Sequence, residues 1–320
     1  MRIVFMGSAD FAVTSLEALA AAGHELLTVV TQPDRPRGRG QKLAVTPVKE
    51  LALKLGLSIY QPNSARAPEF AAWLRQQAPE VVVVVAYGQI LPPEVLRIPP
   101  QGCINVHASL LPAYRGAAPI HWAIMSGEKL TGVSTMFMDA GMDTGDVVLQ
   151  QPVPIPDEAT TGDLYPRLAK EGAELLLKTL TLLSLGKVIR VPQDSSRATY
   201  APVLKREHEK IDWSKPAEVL RNQIRGLNPW PGAYTEFDGK VLKVWRSRRW
   251  QLGGDPDSNK EISNTRRPGE VIRVVKDEGL LVQTGAGCLL LTEVQPTGKK
   301  RMPADAFCRG YQIGTGTVFG

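Results

Sequence analysis

The first half of the chain alternates short apolar runs with segments in which apolar residues recur every three or four positions. The runs have the length of strands and the recurring segments have the period of amphipathic helices, so the alternation predicts a right-handed, mostly parallel βαβ sheet. The valine-rich run at residues 81–86 predicts a central strand covered on both faces. The predicted strands are residues 2–6, 26–31, 58–60, 81–86 and 103–107, and the predicted helices are residues 11–22, 47–55, 68–77 and 163–185.

The last third of the chain has short alternating runs separated by turn residues. A helix predicted at residues 217–226 precedes five closely spaced strands, which favour a small OB-like β-barrel. Because residues 191–206 look extended and linker-like, we predict domains at residues 1–206 and 207–320. The fold class is therefore α/β, a Rossmann-like mostly parallel sheet domain followed by a smaller barrel domain. The five predicted strands are residues 233–237, 241–245, 269–275, 279–284 and 288–294, and a short helix follows at residues 304–308.

Length and composition are those of a globular protein with two domains. The chain has 320 residues, of which 43% are hydrophobic and 22% charged, which allows a sizeable core. Its longest aliphatic run is too short to cross a bilayer, and its first residues enter a strand pattern rather than a signal segment. We therefore expect a cytoplasmic protein with no membrane partner. The three cysteines are far apart and odd in number, so we expect reduced thiols and no metal site.

Positive charge is concentrated in one loop and in the last third of the chain. The formal net charge of +6 favours a polyanionic partner. Residues 33–42 contain Arg35, Arg37, Arg39 and Lys42 against the single acidic residue Asp34. Residues 207–320 have 18 Lys or Arg residues against 14 Asp or Glu residues. Such runs are more often solvated surface than nucleic-acid contacts, and on charge alone both interpretations stay open.

Three polar residues near the middle of the chain have the pattern of an acyl-transfer site. Asn105 and His107 alternate on the strand predicted at residues 103–107, so their side chains share one face. Asp143 follows in the Gly-rich stretch of residues 139–146, where its carboxylate can orient the imidazole. Taken singly, each of these residues is more often a structural polar group than a catalytic one. Together they supply an amide donor, an imidazole and a carboxylate.

These residues resemble the pattern of the 10-formyltetrahydrofolate-dependent formyltransferases. In that family an Asn-x-His strand precedes a Ser-Leu-Leu-Pro loop, here residues 109–112, and an Asp follows later. Residues 33–40 and 225–234 are similar to segments of the family members that act on aminoacylated tRNA, so the resemblance covers essentially the whole chain. One departure is the turn at residues 7–10, which is Gly-Ser-Ala-Asp where the family usually has Gly-Thr-Pro-Glu. This turn also lacks the glycine spacing of a dinucleotide site.

The resemblance implies a reaction and a set of site residues. The implied reaction is transfer of a formyl group from 10-formyltetrahydrofolate to the α-amino group of methionyl-initiator tRNA, in translation initiation, by a monomeric enzyme. Asn105, His107 and Asp143 are the implied catalytic residues, and the division of proton transfer between His107 and Asp143 stays open. Arg115 would hold the neighbouring loop or meet a phosphate. The implied folate contacts are Ser109, Leu110, Leu111, Pro112, Ala86, Tyr87, Gly88, Gln89, Ile90 and Leu91, and the implied tRNA contacts are Arg37, Arg39 and Lys42.

Two other functions stay open from the sequence. The first is a formyltransferase with the same two-domain plan that acts on another amine, such as an amino sugar. The second is a nucleic-acid-binding protein that has lost catalysis. The basic loop and residues 225–234 favour tRNA over the amino sugar, and the complete set of Asn105, His107 and Asp143 disfavours a loss of catalysis.

Overall fold

The structure, a computed structural model, describes residues 1–37, 42–250 and 266–320. These residues form two compact units. The first contains residues 1–119, 130–154 and 165–202, and the second contains residues 120–129, 155–164 and 203–320. Two short segments therefore join the second unit although they precede the last third of the chain in sequence. The predicted domain boundary after residue 206 stays a prediction.

The first unit is built on a seven-stranded mixed sheet. The strands up to residue 154 are β1 (Arg2–Gly7), β2 (Glu25–Val30), β3 (Arg35–Arg37), β4 (Lys42–Ala44), β5 (Ile59–Tyr60), β6 (Val81–Val85), β7 (Cys103–His107), β8 (Leu130–Phe137) and β9 (Val147–Pro154). The helices up to residue 184 are α1 (Asp10–Ala21), α2 (Pro47–Lys54), α3 (Pro68–Gln77), α4 (Pro93–Leu96), α5 (Pro119–Met125) and α6 (Thr161–Ser184). The order across the sheet is β5-β2-β1-β6-β7-β8-β9. None of the described helices has the length and apolarity needed to span a bilayer.

The predicted parallel core of this sheet is confirmed. Strands β5, β2, β1, β6 and β7 run parallel to one another, and β6 is buried at all five valines. Burial on both faces is what a near-continuous valine run requires. Helix α2 begins as its sequence predicts, because the Thr46 side chain accepts a hydrogen bond from the Lys49 amide and Pro47 occupies the first turn.

Strands β8 and β9 do not follow from the hydrophobic pattern. Strand β8 runs antiparallel to β7, and β9 runs antiparallel to β8. Seven of the eight β8 positions are buried, although Ser134 and Thr135 are polar. Their hydroxyls bond to the Ser109 carbonyl at 2.6 Å and to the Thr179 hydroxyl at 2.7 Å. Because these partners are 25 and 44 residues away, no local alternation marks the strand.

The basic loop is in part a β-hairpin. Strands β3 and β4 pair antiparallel, with Arg37 opposite Lys42, whereas the sequence suggested an irregular loop. Residues 38–41, which include the predicted contact Arg39, lie outside the described part of the chain. At the base of the hairpin Asp34 accepts hydrogen bonds from Lys49 Nζ at 2.6 Å and from Gln61 Nε2 at 2.8 Å. These bonds attach the hairpin to the body of the first unit.

The second unit contains a separate antiparallel sheet, as the sequence predicts. All five predicted strands are present, and the order across the sheet is β10-β11-β14-β13-β12, with β15 beside β14. The elements are α7 (Arg206–Glu209), α8 (Ala217–Gly226), β10 (Ala233–Phe237), β11 (Lys240–Arg249), β12 (Val271–Val275), β13 (Gly279–Gln283), β14 (Cys288–Pro296), β15 (Met302–Pro303) and α9 (Ala304–Tyr311).

The last residues of the chain connect the two edge strands of this sheet. Gly320 exchanges two backbone hydrogen bonds with Glu236 of β10, at 2.9 and 3.0 Å. Val271 of β12 donates to the Thr317 carbonyl at 2.7 Å and accepts from Gly316 at 2.9 Å. Between these contacts Phe319 is 2% exposed. The backbone of residues 316–320 therefore closes the sheet in the manner of a small barrel.

We predict that Phe319→Ala lowers the free energy of unfolding of the second unit by about 3–5 kcal/mol, because it removes a buried ring from the closure. Phe319 stacks on Trp213 with a centroid distance of 6.2 Å, so urea denaturation followed by tryptophan fluorescence reports the change. Val318 is 50% exposed, and Val318→Ala is the matched control, expected to stay within about 0.5 kcal/mol of the parent. Equal midpoints for the two variants would contradict the proposed closure.

Candidate active site

Asn105 and His107 lie two positions apart on β7, so their side chains leave the same face of the sheet. They are 9% and 7% exposed. The Asn105 amide has no hydrogen bond to any residue in the described ranges, whereas His107 Nε2 lies 3.0 Å from the Tyr114 carbonyl. A carbonyl can only accept, so Nε2 carries a proton in this arrangement. The other ring nitrogen, Nδ1, is then the atom available for proton exchange.

Asp143 lies in the turn between β8 and β9 and faces that nitrogen. Its Oδ2 is 3.7 Å from His107 Nδ1, within the range of an ion pair but too far for a direct hydrogen bond. The same oxygen accepts a hydrogen bond from the Gly116 amide at 2.8 Å. Asp143 has a φ of 55°, in the left-handed region that Asp tolerates better than most residues. Gly145 is required nearby, because a Cβ there would lie 1.8 Å from the Phe137 carbonyl oxygen.

Arg115 and Gln193 hold this turn in place through a chain of hydrogen bonds. Arg115 is 3% exposed and donates from Nε and Nη2 to the Gln193 Oε1, at 3.1 and 2.8 Å. Gln193 Nε2 donates in turn to the carbonyls of Asp143 and Gly145, at 2.8 and 2.7 Å. The Arg115 guanidinium is therefore connected to the Asp143 turn through Gln193, and its expected role of holding the loop at residues 109–112 stays a prediction. The role of Gln193 has no local sequence signal, since it lies in a segment predicted to be a linker.

The Ser-Leu-Leu-Pro loop is held by Ser134 of β8. The Ser134 hydroxyl donates to the Ser109 carbonyl at 2.6 Å and accepts from the Leu111 amide at 3.1 Å. Gln150 Nε2 donates to the Ser134 hydroxyl at 2.9 Å and to the Leu111 carbonyl at 2.8 Å. The Ser109 and Leu111 side chains are buried, whereas Leu110 and Pro112 are partly exposed. Side chains of β8 and β9 therefore fix the backbone of the loop.

A small cavity lies between the loop after β6 and the turn that carries Asp143. Its volume is about 160 Å³, and Ile90, Leu91 and Asp143 are among its lining residues. Within the described residues, nothing accepts a hydrogen bond from the backbone N–H groups of Ile90 and Leu91, which remain available to a ligand. The other lining residues are Gln89, Met136, Met138, Asp139, Ala140, Gly141 and Met142. Three methionines give the cavity an adaptable apolar wall.

The rest of the loop after β6 serves as support. Tyr87 is 2% exposed, and burial raises the pKa of its phenol to about 12, so the side chain is a neutral part of the core. Its carbonyl accepts from Ser8 Oγ at 3.2 Å and from Gln32 Nε2 at 3.1 Å. Gly88 has a φ of 83° and lets the chain reverse there. Of the six residues predicted to contact folate in this loop, the structure brings Gln89, Ile90 and Leu91 to the cavity.

A second cavity, of about 580 Å³, lies elsewhere in the first unit. Its lining includes Glu80, which directly precedes β6, and the exposed residues Arg75, Glu94 and Arg97. This position is at the amino ends of the parallel strands, whereas ligands of open α/β sheets bind at the carboxyl ends. His107 ends β7 and lies at the carboxyl edge. The smaller cavity is therefore the better candidate in spite of its volume.

The hairpin of the basic loop follows β2 and starts from the same carboxyl edge of the sheet. Strands β2 and β7 are separated by β1 and β6, three spacings of about 4.8 Å or roughly 14 Å. Arg37 and Lys42 occupy facing positions of the hairpin. The contact of these two residues with a nucleic acid stays a prediction.

Comparisons with known proteins identify the family of the chain. The family model described as "Formyl transferase" matches residues 1–180, and that of "Formyl transferase, C-terminal domain" matches residues 203–312. The methionyl-tRNA formyltransferase of Moorella thermoacetica is 54% identical over 320 residues, covering 100% of this chain and 99% of that protein. The corresponding protein of Heliobacterium modesticaldum is 51% identical over 321 residues, with 100% of both covered.

Solved structures share the fold at low identity. An N-formyltransferase from Helicobacter canadensis aligns with a TM-score of 0.65 and 19% identity, covering 92% of this chain and 99% of that chain. HypX from Aquifex aeolicus aligns with a TM-score of 0.62 and 20% identity, covering 99% of this chain and 48% of that one. Fold, matched models and relatives together define an enzyme of the formyltransferase class. Within that class, the chain belongs to the methionyl-tRNA formyltransferase family, which confirms the resemblance drawn from its motifs.

We predict that Ser134→Ala lowers the free energy of unfolding by about 1–3 kcal/mol, because it leaves buried backbone groups of the Ser109–Leu111 loop without a partner. The KM for the formyl donor should also rise. Ser15→Ala is the matched control: the Ser15 hydroxyl is also buried but has no hydrogen-bond partner within residues 1–37, 42–250 and 266–320, so its loss should be neutral or stabilising. Thermal and urea denaturation of both variants test this difference. Equal destabilisation by the two substitutions would show that the Ser134 bonds do not hold the loop.

Proposed function

We propose that this protein transfers the formyl group of 10-formyltetrahydrofolate to the α-amino group of methionyl-initiator tRNA. The observation that carries the proposal is the placement of the Asp143 carboxylate 3.7 Å from His107 Nδ1, beside a cavity with free backbone donors. The printed names of full-length relatives at 54% and 51% identity support methionyl-tRNA as the acceptor. A monomeric state and a cytoplasmic location stay predictions.

The cavity suits one ring system of a folate better than a whole ligand. Its volume of about 160 Å³ is below the roughly 300–1,000 Å³ typical of complete small-molecule sites. Apolar walls with two backbone N–H groups match a flat heterocycle that needs hydrogen bonds at its edge. One solved structure of HypX, with a TM-score of 0.61, is described as a complex with tetrahydrofolic acid. The proposed folate contacts therefore divide into ring contacts at residues 89–91 and contacts of the remaining ligand with residues 109–112.

The catalytic residues have complementary roles in this proposal. The carbon–nitrogen bond to the amine forms while the bond from the formyl carbon to N10 breaks, and one proton passes from the amine to N10. Asn105, whose amide has no bond to a described residue, donates to the formyl oxygen as negative charge develops there. His107 Nδ1 and the Asp143 carboxylate form the route for the proton. General acid–base help of this kind is worth about 10²–10⁴-fold in rate.

An amino sugar as acceptor has weaker support. The Helicobacter canadensis structure is described as a complex with folinic acid and dTDP-3-aminofucose, but at 19% identity the likeness shows the fold alone. The assay that separates the possibilities measures formyl transfer from 10-formyltetrahydrofolate to charged initiator tRNA, with free methionine and an amino sugar nucleotide as the other acceptors. Transfer to the charged tRNA alone is expected. Transfer to the sugar alone, or no transfer at all, would overturn the proposal.

We predict that Asn105→Ala, His107→Ala and Asp143→Ala each lower kcat by about 10²–10⁴-fold while the protein stays folded, because the groups act on the transition state. Their combined loss should be much smaller than the product of the single losses, since they act as a unit. Steady-state kinetics at saturating substrates measures this, with circular dichroism to confirm folding. His24→Ala serves as a control for a histidine outside the site. Near-parental kcat in one variant would remove that residue from the mechanism.

We predict that replacing Arg37, Arg39 and Lys42 by Ala lowers kcat/KM for charged tRNA and flattens its salt dependence, because each lost phosphate contact reduces counterion release. The log–log slope should fall by about one unit per contact, while affinity for the folate donor stays unchanged. The control replaces Arg66, Arg75 and Arg97, three exposed arginines of the first unit, and removes the same charge. Identical salt slopes for the two triple variants would mean that only net charge matters.

A further inference from the structure

We infer that Gln193 is a positioning residue that sets the Asp143 carboxylate against the His107 ring. The inference rests on the proposed function, because it assigns Gln193 a part in the same reaction. Gln193 lies 50 residues from Asp143 in the chain, just before the short 3-10 turn at Ser195–Arg197. Gln193 is not among the residues that line the cavity, and its Nε2 lies 4.0 Å from the Sδ atom of Met136, which does line it.

Four hydrogen bonds of the Gln193 amide connect Arg115 with the turn that carries Asp143. Its Oε1 accepts both bonds from Arg115, at 3.1 and 2.8 Å. Its Nε2 donates to the carbonyls on either side of residue 144, those of Asp143 at 2.8 Å and Gly145 at 2.7 Å. Because an arginine can only donate and a carbonyl can only accept, only one orientation of the amide satisfies these four bonds. The Gln193 amide thus links the Arg115 guanidinium to the Asp143 turn.

The burial and hydrogen bonds of Arg115 fix this orientation of the Gln193 amide. The guanidinium is 3% exposed, and a charge so far removed from water must keep its hydrogen bonds. Its backbone is fixed by the same segment that carries Gln193, since the Arg115 amide donates to the Thr199 carbonyl at 2.9 Å and the Ala201 amide donates to the Arg115 carbonyl at 2.7 Å. Backbone and side chain of Arg115 are thus both held against residues 193–201. The donor to Gln193 Oε1 is therefore an arginine whose position is fixed.

The turn needs this support because Asp143 has an unfavourable backbone. A φ of 55° costs a non-glycine residue on the order of 1 kcal/mol, so the turn relaxes unless outside contacts hold it. The Gln193 bonds act on the carbonyl of Asp143 itself and fix the direction of its side chain. From there Oδ2 reaches both the Gly116 amide at 2.8 Å and His107 Nδ1 at 3.7 Å. A misplacement of about 1 Å in such a site costs on the order of 10²-fold in rate.

The test uses Gln193→Glu, which separates the two sides of the amide. A glutamate still accepts both bonds from Arg115 and forms a salt bridge with it, so the fold should be retained. It cannot donate to the carbonyls of Asp143 and Gly145, and its charge repels them. We expect kcat to fall about 10–100-fold with the KM values of both substrates within about twofold of the parent. Asp194→Ala is the neighbouring control: among the described residues its carboxylate bonds to Ser196 alone, and its kcat should equal that of the parent.

A double-mutant cycle with Asp143→Asn shows whether Gln193 acts through Asp143. If it does, Gln193→Glu costs little further kcat in the Asp143→Asn background. Losses that multiply in the double variant, or an unchanged kcat in Gln193→Glu, would overturn the inference. A raised KM with unchanged kcat would also overturn it, because the residue would then serve binding.

A spectroscopic readout keeps this inference separate from the proposed acceptor. The chain has four histidines, so the ring resonances of His107 can be assigned by comparison with His107→Ala. Gln193→Glu should displace the His107 resonances in the free enzyme, and Asp194→Ala should leave them in place. Unchanged His107 resonances in Gln193→Glu would contradict the inference whichever amine the enzyme formylates. Failure of the tRNA assay with displaced resonances would instead contradict the acceptor alone.

Discussion

The site depends on one constraint, the approach of the Asp143 carboxylate to the His107 ring. The imidazole position follows from β7, whose last residue is His107 and whose neighbours on both sides are hydrogen-bonded strands. The carboxylate position is less secure, because it comes from a turn with a left-handed residue. Two contacts hold this turn in place. Gly145 packs closely on the Phe137 carbonyl, and the Asp143 carboxylate accepts a hydrogen bond from the Gly116 amide at 2.8 Å. A rigid strand and a supported turn together give the geometry that general acid–base chemistry needs.

Much of this arrangement could be predicted because it is encoded locally. The period of the side chains placed Asn105 and His107 on one face, the valines of residues 81–85 indicated a strand buried on both faces, and Thr46 with Pro47 marked the start of α2. Each inference used residues within one element and a rule about that element. Five strands of the second unit were predicted in the same way, from short alternating runs between turns.

What escaped prediction depends on partners far away in the chain. Strand β8 is polar where it is buried, and its burial is tolerable only because Ser134 meets Ser109 and Thr135 meets Thr179. Residues 193–201 look like a linker because their hydrogen bonds go to Tyr114, Arg115 and Asp143, which no local pattern shows. The cavity at residues 89–91 has the same origin, since its opposite wall comes from β8 and the following turn.

The second unit also depends on partners that are far away in the chain, in this case for a buried charge. Arg221 of α8 is 2% exposed, and its Nη2 bonds to the Asp157 carboxylate at 2.8 Å and the Glu158 carboxylate at 2.7 Å. Both partners come from residues 155–164, which belong to this unit although some 60 residues separate them from α8. A buried guanidinium without these partners is strongly destabilising. A fragment that begins at residue 203 would keep Glu218, which lies 3.4 Å from Arg221, and would lose the other two carboxylates. The second unit is therefore defined by contacts and not by one continuous stretch of chain.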